Sequence, residues 1–339
     1  MSRKTLLYAA VAVQIIAVAS IALSKEWLLA SGYPLVLQTA PVDPRDLFKG
    51  DYVQLDYAFS SIPLSQLAED IVQNGLRKGQ KVYLQLGETR QGVTQTGKVF
   101  SSPPAAGRYL MGYVQAHWPY KNFNSADQPE TTGQRSVSHP LLVHYGIEQY
   151  FVEQGQGLEM EQIRGSRNSF QVPMLIQAAL SGSGVAIIRS FSWANVAFKT
   201  EILKSPAPDA PDDQASAVIR FTLMNRNPHT ITLPLKHANC SFTLIPISSA
   251  PTEAAGFILP RSDCATAESS PVVLAASETV SFDFDLNAQH WQVLLNEQPT
   301  SPGKLPWDYR YRIIYQGEEI EGINANIVSS SFHGSGNID

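Results

Sequence analysis

The chain has 339 residues, long enough for two folded units that each bury a core. Only 16 % of residues are charged, and 22 Gly with 22 Pro fit a β-rich globular protein better than a disordered or coiled-coil one. The net charge of −5, with no basic tail and no run of Lys or Arg, excludes nucleic acid from the expected partners.

Residues 5–23 (TLLYAAVAVQIIAVASIAL) are apolar except for Thr5, Gln14 and Ser20. A helix over them rises ~28 Å and nearly crosses a ~30 Å hydrocarbon slab. Arg3 and Lys4 before it favour an N-terminus left in the cytoplasm, and Trp27 and Tyr33 fall where an interfacial aromatic belt sits. The expectation is an uncleaved anchor over residues 1–30, in contact with inner-membrane lipid through 5–23, with the bulk of the chain periplasmic or otherwise extracytoplasmic. A cleaved signal peptide, with Ala17 and Ala19 as the small residues of its site, is the alternative.

After a strand at 35–38 comes the run PVDPRDLFKGDYVQLDY, residues 41–57. Asp43 suits an N-cap, Pro44 the first helical position, Asp46 the positive helix end and Gly50 a left-handed C-terminal position. The spacing predicts one helical turn over 44–49, feeding an alternating strand over 51–59 with Val53, Leu55, Tyr57 and Phe59 on one face. A helix is expected over 62–76, with strands at 81–86, 92–100, 109–116 and 141–152 and a short helix at 158–164. The Gly-rich SGSG at 181–184 between two alternating runs, 170–179 and 185–194, predicts a hairpin.

Residues 204–214 (KSPAPDAPDDQ) read as a stiff, solvated linker. It divides a β-rich α+β domain over 31–203 from a C-terminal domain over 215–335. In the latter, short strands are expected at 217–224, 230–235, 240–246, 256–259, 272–274, 279–286, 309–315 and 323–328, the pattern of a Greek-key sandwich that resembles an immunoglobulin-like accessory domain. The fold class is thus mainly β. The two cysteines, Cys240 and Cys264, fit an oxidising compartment and a disulfide worth about 3 kcal/mol in the chain-entropy model; two buried thiols are the alternative.

Gly50-Asp51-Tyr52-x-x-Leu55-x-Tyr57 resembles the signature of the GDYXXLXY family, and Tyr145-Gly-Ile-Glu-Gln-Tyr-Phe-Val-Glu-Gln-Gly-Gln-Gly157 is similar to a second string of that family. Gln149 stands where Arg is expected, and Glu153-Gln154 where Pro-Glu is expected. The resemblance covers about residues 5–195. It implies an extracytoplasmic domain behind one membrane helix, often encoded beside a multi-pass membrane protein, and no established catalytic residues.

The candidate binding residues cluster in these two strings: Asp43, Arg45, Asp46, Asp51, Tyr52 and Tyr57 in the first, Tyr145, Glu148, Tyr150 and Glu153 in the second. Carboxylates beside an Arg can hold a substrate or cation; the same residues cap turns and form structural ion pairs. The tyrosines can stack on a ligand or fill a core with their hydroxyls bonded at its rim. None of the seven histidines forms H-x-H, H-x-x-x-H or H-E-x-x-H, so neither a metal nor a cofactor is expected; His144, beside the second string, is the one to watch. No G-x-S-x-G or S-x-x-K marks a nucleophile. Two readings follow. One is a non-enzymatic, membrane-tethered interaction or assembly protein whose partner is a multi-pass membrane protein, with the signature docking close to the bilayer. The other is a hydrolase or ligand-binding domain using Asp43, Asp51, Glu148 and Glu153 with Arg45.

Overall fold

The computed structural model describes residues 3–40, 52–63, 66–116, 140–153, 155–166, 169–205, 217–236, 238–247, 264, 268–288, 291, 293–295, 298–302, 310–334 and 338. The turn expected at 44–49, the strand expected at 256–259 and most of the 204–214 linker lie outside them, as do Asp43, Arg45, Asp46 and Asp51.

The chain opens with α1 (Arg3–Ser31), a continuous helix of 29 residues. It is long and apolar enough to be a single membrane span or a signal anchor. Ser20 and Ser24 donate their hydroxyls back to the carbonyls of Ile16 and Ile21, which satisfies these polar groups within the helix itself. Leu28 is its one buried side chain. Gly32 forms the elbow beyond it, where a Cβ would strike the Leu28 carbonyl and the Ala179 methyl.

The elements of the first half follow in order: β1 (Tyr33–Gln38), β2 (Tyr52–Gln54), β3 (Ser61–Ile62), α2 (Glu69–Asn74), β4 (Lys81–Arg90), β5 (Val93–Phe100), β6 (Arg108–Val114), β7 (Leu141–His144), β8 (Gln149–Phe151), α3 (Gln156–Arg164), β9 (Met174–Leu180) and β10 (Ala186–Trp193). Three pieces of sheet result. The largest has the order β3-β7-β6-β4-β5, a second runs β1-β9-β10, and β2 pairs with β8 alone. They close on a core that includes Leu35, Leu37, Leu55, Ile62, Ile71, Leu84, Leu110 and Ile176. Burying each such side chain contributes about 1.5–3 kcal/mol.

Four expectations change here. The helix expected over 62–76 shrinks to Glu69–Asn74, because Ala68 gives its amide to the Val99 carbonyl and Leu67 bridges to Val99; those residues serve the sheet instead. The strand expected over 51–59 stops at Gln54 and passes into a 3-10 turn, Ala58–Ser60. The strand expected over 141–152 is broken by a turn at 145–148. The stretch 323–328 is no strand; it joins the strand at 310–315 through the Ile314–Val328 bridge and the Tyr315 amide's bond to the Ile327 carbonyl. The β9–β10 hairpin forms as expected.

The second half contains β11 (Val196–Lys204), β12 (Val218–Asn225), β13 (Ile231–Leu233), α4 (Ala238–Ser241), β14 (Phe242–Pro246), β15 (Val272–Leu274), β16 (Thr279–Asp285), β17 (Val293–Leu295), β18 (Gln298–Thr300), β19 (Arg310–Tyr315) and β20 (Phe332–His333). Sheets β11-β12-β16 and β14-β19-β20 enclose a core built on Phe198, Phe221, Phe242, Phe284, Trp291 and Tyr311. Cys240 and Cys264 are bonded as a disulfide. Strand β11 hydrogen-bonds along its length to β12, so this sheet starts at Val196, ahead of the stretch expected to divide the chain.

The two cores share a wall. Val93, Val172 and Leu175 pack into the second one. Two reciprocal amide pairs stitch the surface above it. Asn195 and Asn324 each donate a backbone N–H to the other's side-chain oxygen, at 2.8 and 3.1 Å. Asn326 gives its N–H to Gln38 Oε1 at 2.7 Å, and Gln38 Nε2 returns a bond to the Asn326 carbonyl at 3.0 Å. The Gln91-Gly92 turn of the β4–β5 hairpin has positive φ at both residues, and Gln91 is only 3 % exposed beneath Glu319.

Candidate functional site

The two strings singled out in the sequence meet as a ladder. Strand β2 pairs antiparallel with β8 in the register Tyr52–Phe151, Val53–Tyr150 and Gln54–Gln149. One residue on, the Leu55 amide donates to the Glu148 carbonyl at 2.7 Å, and Ala40 N–H bonds the Asp56 carbonyl at 2.8 Å, tying the ribbon to the end of β1. Alternation sets the faces. Val53, Leu55, Tyr57, Tyr145 and Ile147 point into the core, and Gln54, Asp56, Gln149, Phe151 and Glu153 point out. Phe151 is 72 % exposed, an unusual position for a large aromatic side chain.

Tyr57 and Tyr145 are core pegs. The Tyr57 ring stacks on Phe59 at 4.9 Å, and Tyr145 meets Phe59 edge-on at 5.3 Å. Each hydroxyl finds a buried carbonyl: Tyr57 donates to Ile147 at 2.8 Å and Tyr145 to Phe59 at 3.1 Å. The first bond joins the two strings, and the second reaches two residues past the first string. Burial, then the negative charge of Glu148, pushes both phenols well above the ordinary tyrosine range; Asp56 adds to the effect at Tyr57. Tyr150 lies edge-on to Phe191 of β10 at 5.3 Å and fastens the ribbon to the β1-β9-β10 sheet.

Glu148 is buried, at 5 % exposure, and its carboxylate is spent locally. It accepts the N–H of Tyr145 at 2.5 Å on one oxygen and that of Gly146 at 2.8 Å on the other. His144 Nδ1 is 3.1 Å from the second oxygen. Gly146 sits at φ +81°, the left-handed region that the tight turn needs and that favours glycine. Glu148 thus acts as a clasp that turns β7 into β8, and charged acceptors make the stronger class of such bonds. Glu153 is exposed, and its carbonyl takes the Gln156 amide where α3 begins.

Arg164, at the end of α3, carries no sequence signal of its own. Its half-buried guanidinium is lowered in pKa by desolvation, with Glu161 and Asp56 pulling it back up, so it sits within electrostatic reach of the signature strand. Its carbonyl takes the Val172 amide, and its burial is set by tertiary packing that spacing along the chain does not encode. Among the described residues no group of three or more His, Cys, Asp or Glu side chains is placed to hold a metal. The structure brings Tyr57, Tyr145, Glu148 and Tyr150 together, sets Glu153 on the rim, and places the backbone of Tyr52 at the outer end of the ladder.

The family described as GDYXXLXY protein matches residues 14–191, more than half of the chain. No curated protein and no solved structure matches.

Proposed function

We propose that this chain, which belongs to the GDYXXLXY protein family, is a membrane-anchored extracytoplasmic protein that works by docking, not catalysis. In this reading α1 stays in the inner membrane as a single span, the folded part lies on the far side of it from the cytoplasm, and the C-terminal sheets are an immunoglobulin-like accessory unit. The partner is a multi-pass membrane protein.

The observation that carries the reading is the division of labour in the β2–β8 ribbon. Its inward residues are pegs and clasps with their polar atoms satisfied, and among its described side chains the prominent outward one is an aromatic ring, a residue type enriched in binding patches. Glu148, the one buried carboxylate among the described candidates, spends both oxygens on its own turn and is not poised for acid–base work on a substrate. Strand β1 has six residues, so the ribbon stands up to ~20 Å beyond the end of α1, and the docking face suits an extracytoplasmic loop of the partner.

Affinity purification of the full chain in mild detergent tests this. The wild type is expected to bring down a stoichiometric multi-pass protein, and Phe151→Ser is expected to lose it while remaining folded. A wild type that purifies alone, or a Phe151→Ser variant that holds the same partner equally well, contradicts the reading.

A further inference from the structure

A second site lies at the foot of the folded part. The end of α1, the loop before β6 and the tip of the β9–β10 hairpin enclose a cavity of about 370 Å³. Trp27, Tyr33, Arg108, Tyr109, Ser181 and Gly182 are among the residues lining it. This is within the size range of small-ligand sites.

Its depth identifies the occupant. Trp27 follows the last residue of the apolar run by four positions, ~6 Å along the helix, and Ser31 by eight, ~12 Å. The headgroup layer on each side of a bilayer is ~5–8 Å thick. If α1 spans the membrane, the Trp27 end of the cavity falls within the headgroup layer and the end at residues 31–33 a few ångströms above it, with the 71 %-exposed Trp27 ring as an interfacial aromatic.

Its chemistry is cationic. Arg108 is the one charged group among the described lining residues. Its guanidinium carbon sits 3.4 Å from the centroid of the Tyr33 ring, a cation–π contact. Arg108 is exposed, lines the cavity, and makes no hydrogen bond or ion pair among the described residues, so its N–H donors are unspent there. The negative end of the α1 dipole falls at this rim, so an anion held there relies on Arg108 to outweigh it. Ser31 donates to the Trp27 carbonyl, Gly32 N–H to the Leu28 carbonyl, and Arg189 Nη2 to the Gly32 carbonyl at 3.1 Å, which sets a cation against this helix end from outside the cavity lining.

We propose that this cavity seats the phosphodiester of a membrane glycerophospholipid, held by Arg108 and flanked by Trp27 and Tyr109. A planar guanidinium binds phosphate oxygens in pairs, and the aromatic walls suit the glycerol and upper acyl carbons. The inference rests on the membrane-spanning reading of α1. A lipid held here would fix the folded part at one height and tilt above the bilayer.

The test uses the full chain in mild detergent with added phosphatidylglycerol, followed by native mass spectrometry. Wild type is expected to retain one phospholipid, with occupancy falling at least fivefold in Arg108→Gln. Gly182→Asp sets a carboxylate at the rim where a Cβ meets nothing within 4 Å, and is expected to lose the lipid too. Millimolar inorganic phosphate should leave occupancy unchanged. Equal retention in the variants, no retention in the wild type, or displacement by inorganic phosphate overturns the lipid site. Alkaline carbonate extraction of membranes reads the anchor separately. A wild type released by carbonate overturns the anchor and the lipid site together, whereas a wild type retained in the pellet leaves the anchor intact whatever the lipid result.

Discussion

Tyr57 and Tyr145 show why a signature residue can be structural. Tyr57 bonds a carbonyl of the second string and Tyr145 the Phe59 carbonyl just beyond the first, so a phenylalanine at either place leaves that carbonyl unpaired, at a cost of about 1–3 kcal/mol. Their raised pKa values predict an alkaline limit. The folded protein keeps these protons above pH 10, where the unfolded chain gives them up, so stability is full below pH ~10 and falls as pH rises, by up to ~1.4 kcal/mol per pH unit for each tyrosine. Tyr315, pushed up to about 12 mainly by burial, adds to the same limb. Urea unfolding at pH 9 to 11 should show this fall, and a Tyr57→Phe, Tyr145→Phe protein should show a shallower one. The alternation over 51–59 is enough to place Tyr57 inward. That its hydroxyl ends on Ile147 is a contact across 90 residues, beyond anything local pattern carries.

At the scale of elements, runs with a strong local signal were legible and those serving a distant partner were not. The β9–β10 hairpin follows from its Gly-rich tip and alternating arms. The helix expected over 62–76 has the right apolar positions, and Leu67, Ala68, Ile71 and Leu76 are all buried, yet its first turns are claimed by β5. Strand β11 was missed because its exposed end runs into the Pro/Asp-rich stretch, while its pairing partner lies beyond it. The candidate site was legible as two strings, but not as one ladder. The turn that joins β7 to β8 depends on a single carboxylate. Glu148→Gln keeps the shape but turns an amide N–H₂ toward a backbone donor, and should destabilise the turn by about 1–3 kcal/mol. Hydrogen exchange at the Leu55 amide, which bonds the Glu148 carbonyl, should quicken more than exchange in β12. Equal changes in both places would mean that the clasp is not local.

Across the whole molecule, the Pro/Asp-rich stretch suggests two independent units, but the contacts argue for coupling. The shared wall at Val93, Val172 and Leu175 and the amide pairs Asn195–Asn324 and Gln38–Asn326 join the sheets of both halves. The folded part is therefore expected to unfold in a single transition. Asn195→Ala with Asn324→Ala should cost about 1–3 kcal/mol and expose the Gln91 amide to faster exchange, while each core keeps its own protection. Two well-separated transitions in the wild type would show that the units are not coupled. For the docking role proposed above, coupling would let a partner bound at the ribbon meet one folded body standing on α1.

The measurement that bears most directly on the docking role is photo-crosslinking in intact membranes. A photoreactive residue is placed in turn at the outward ribbon positions Gln54, Gln149 and Phe151, and, as a control, at Val273, which is 59 % exposed in the second half. The account predicts one discrete adduct with a multi-pass membrane protein from the three ribbon positions and none from Val273. Adducts at Val273 alone, or at no position, would contradict it.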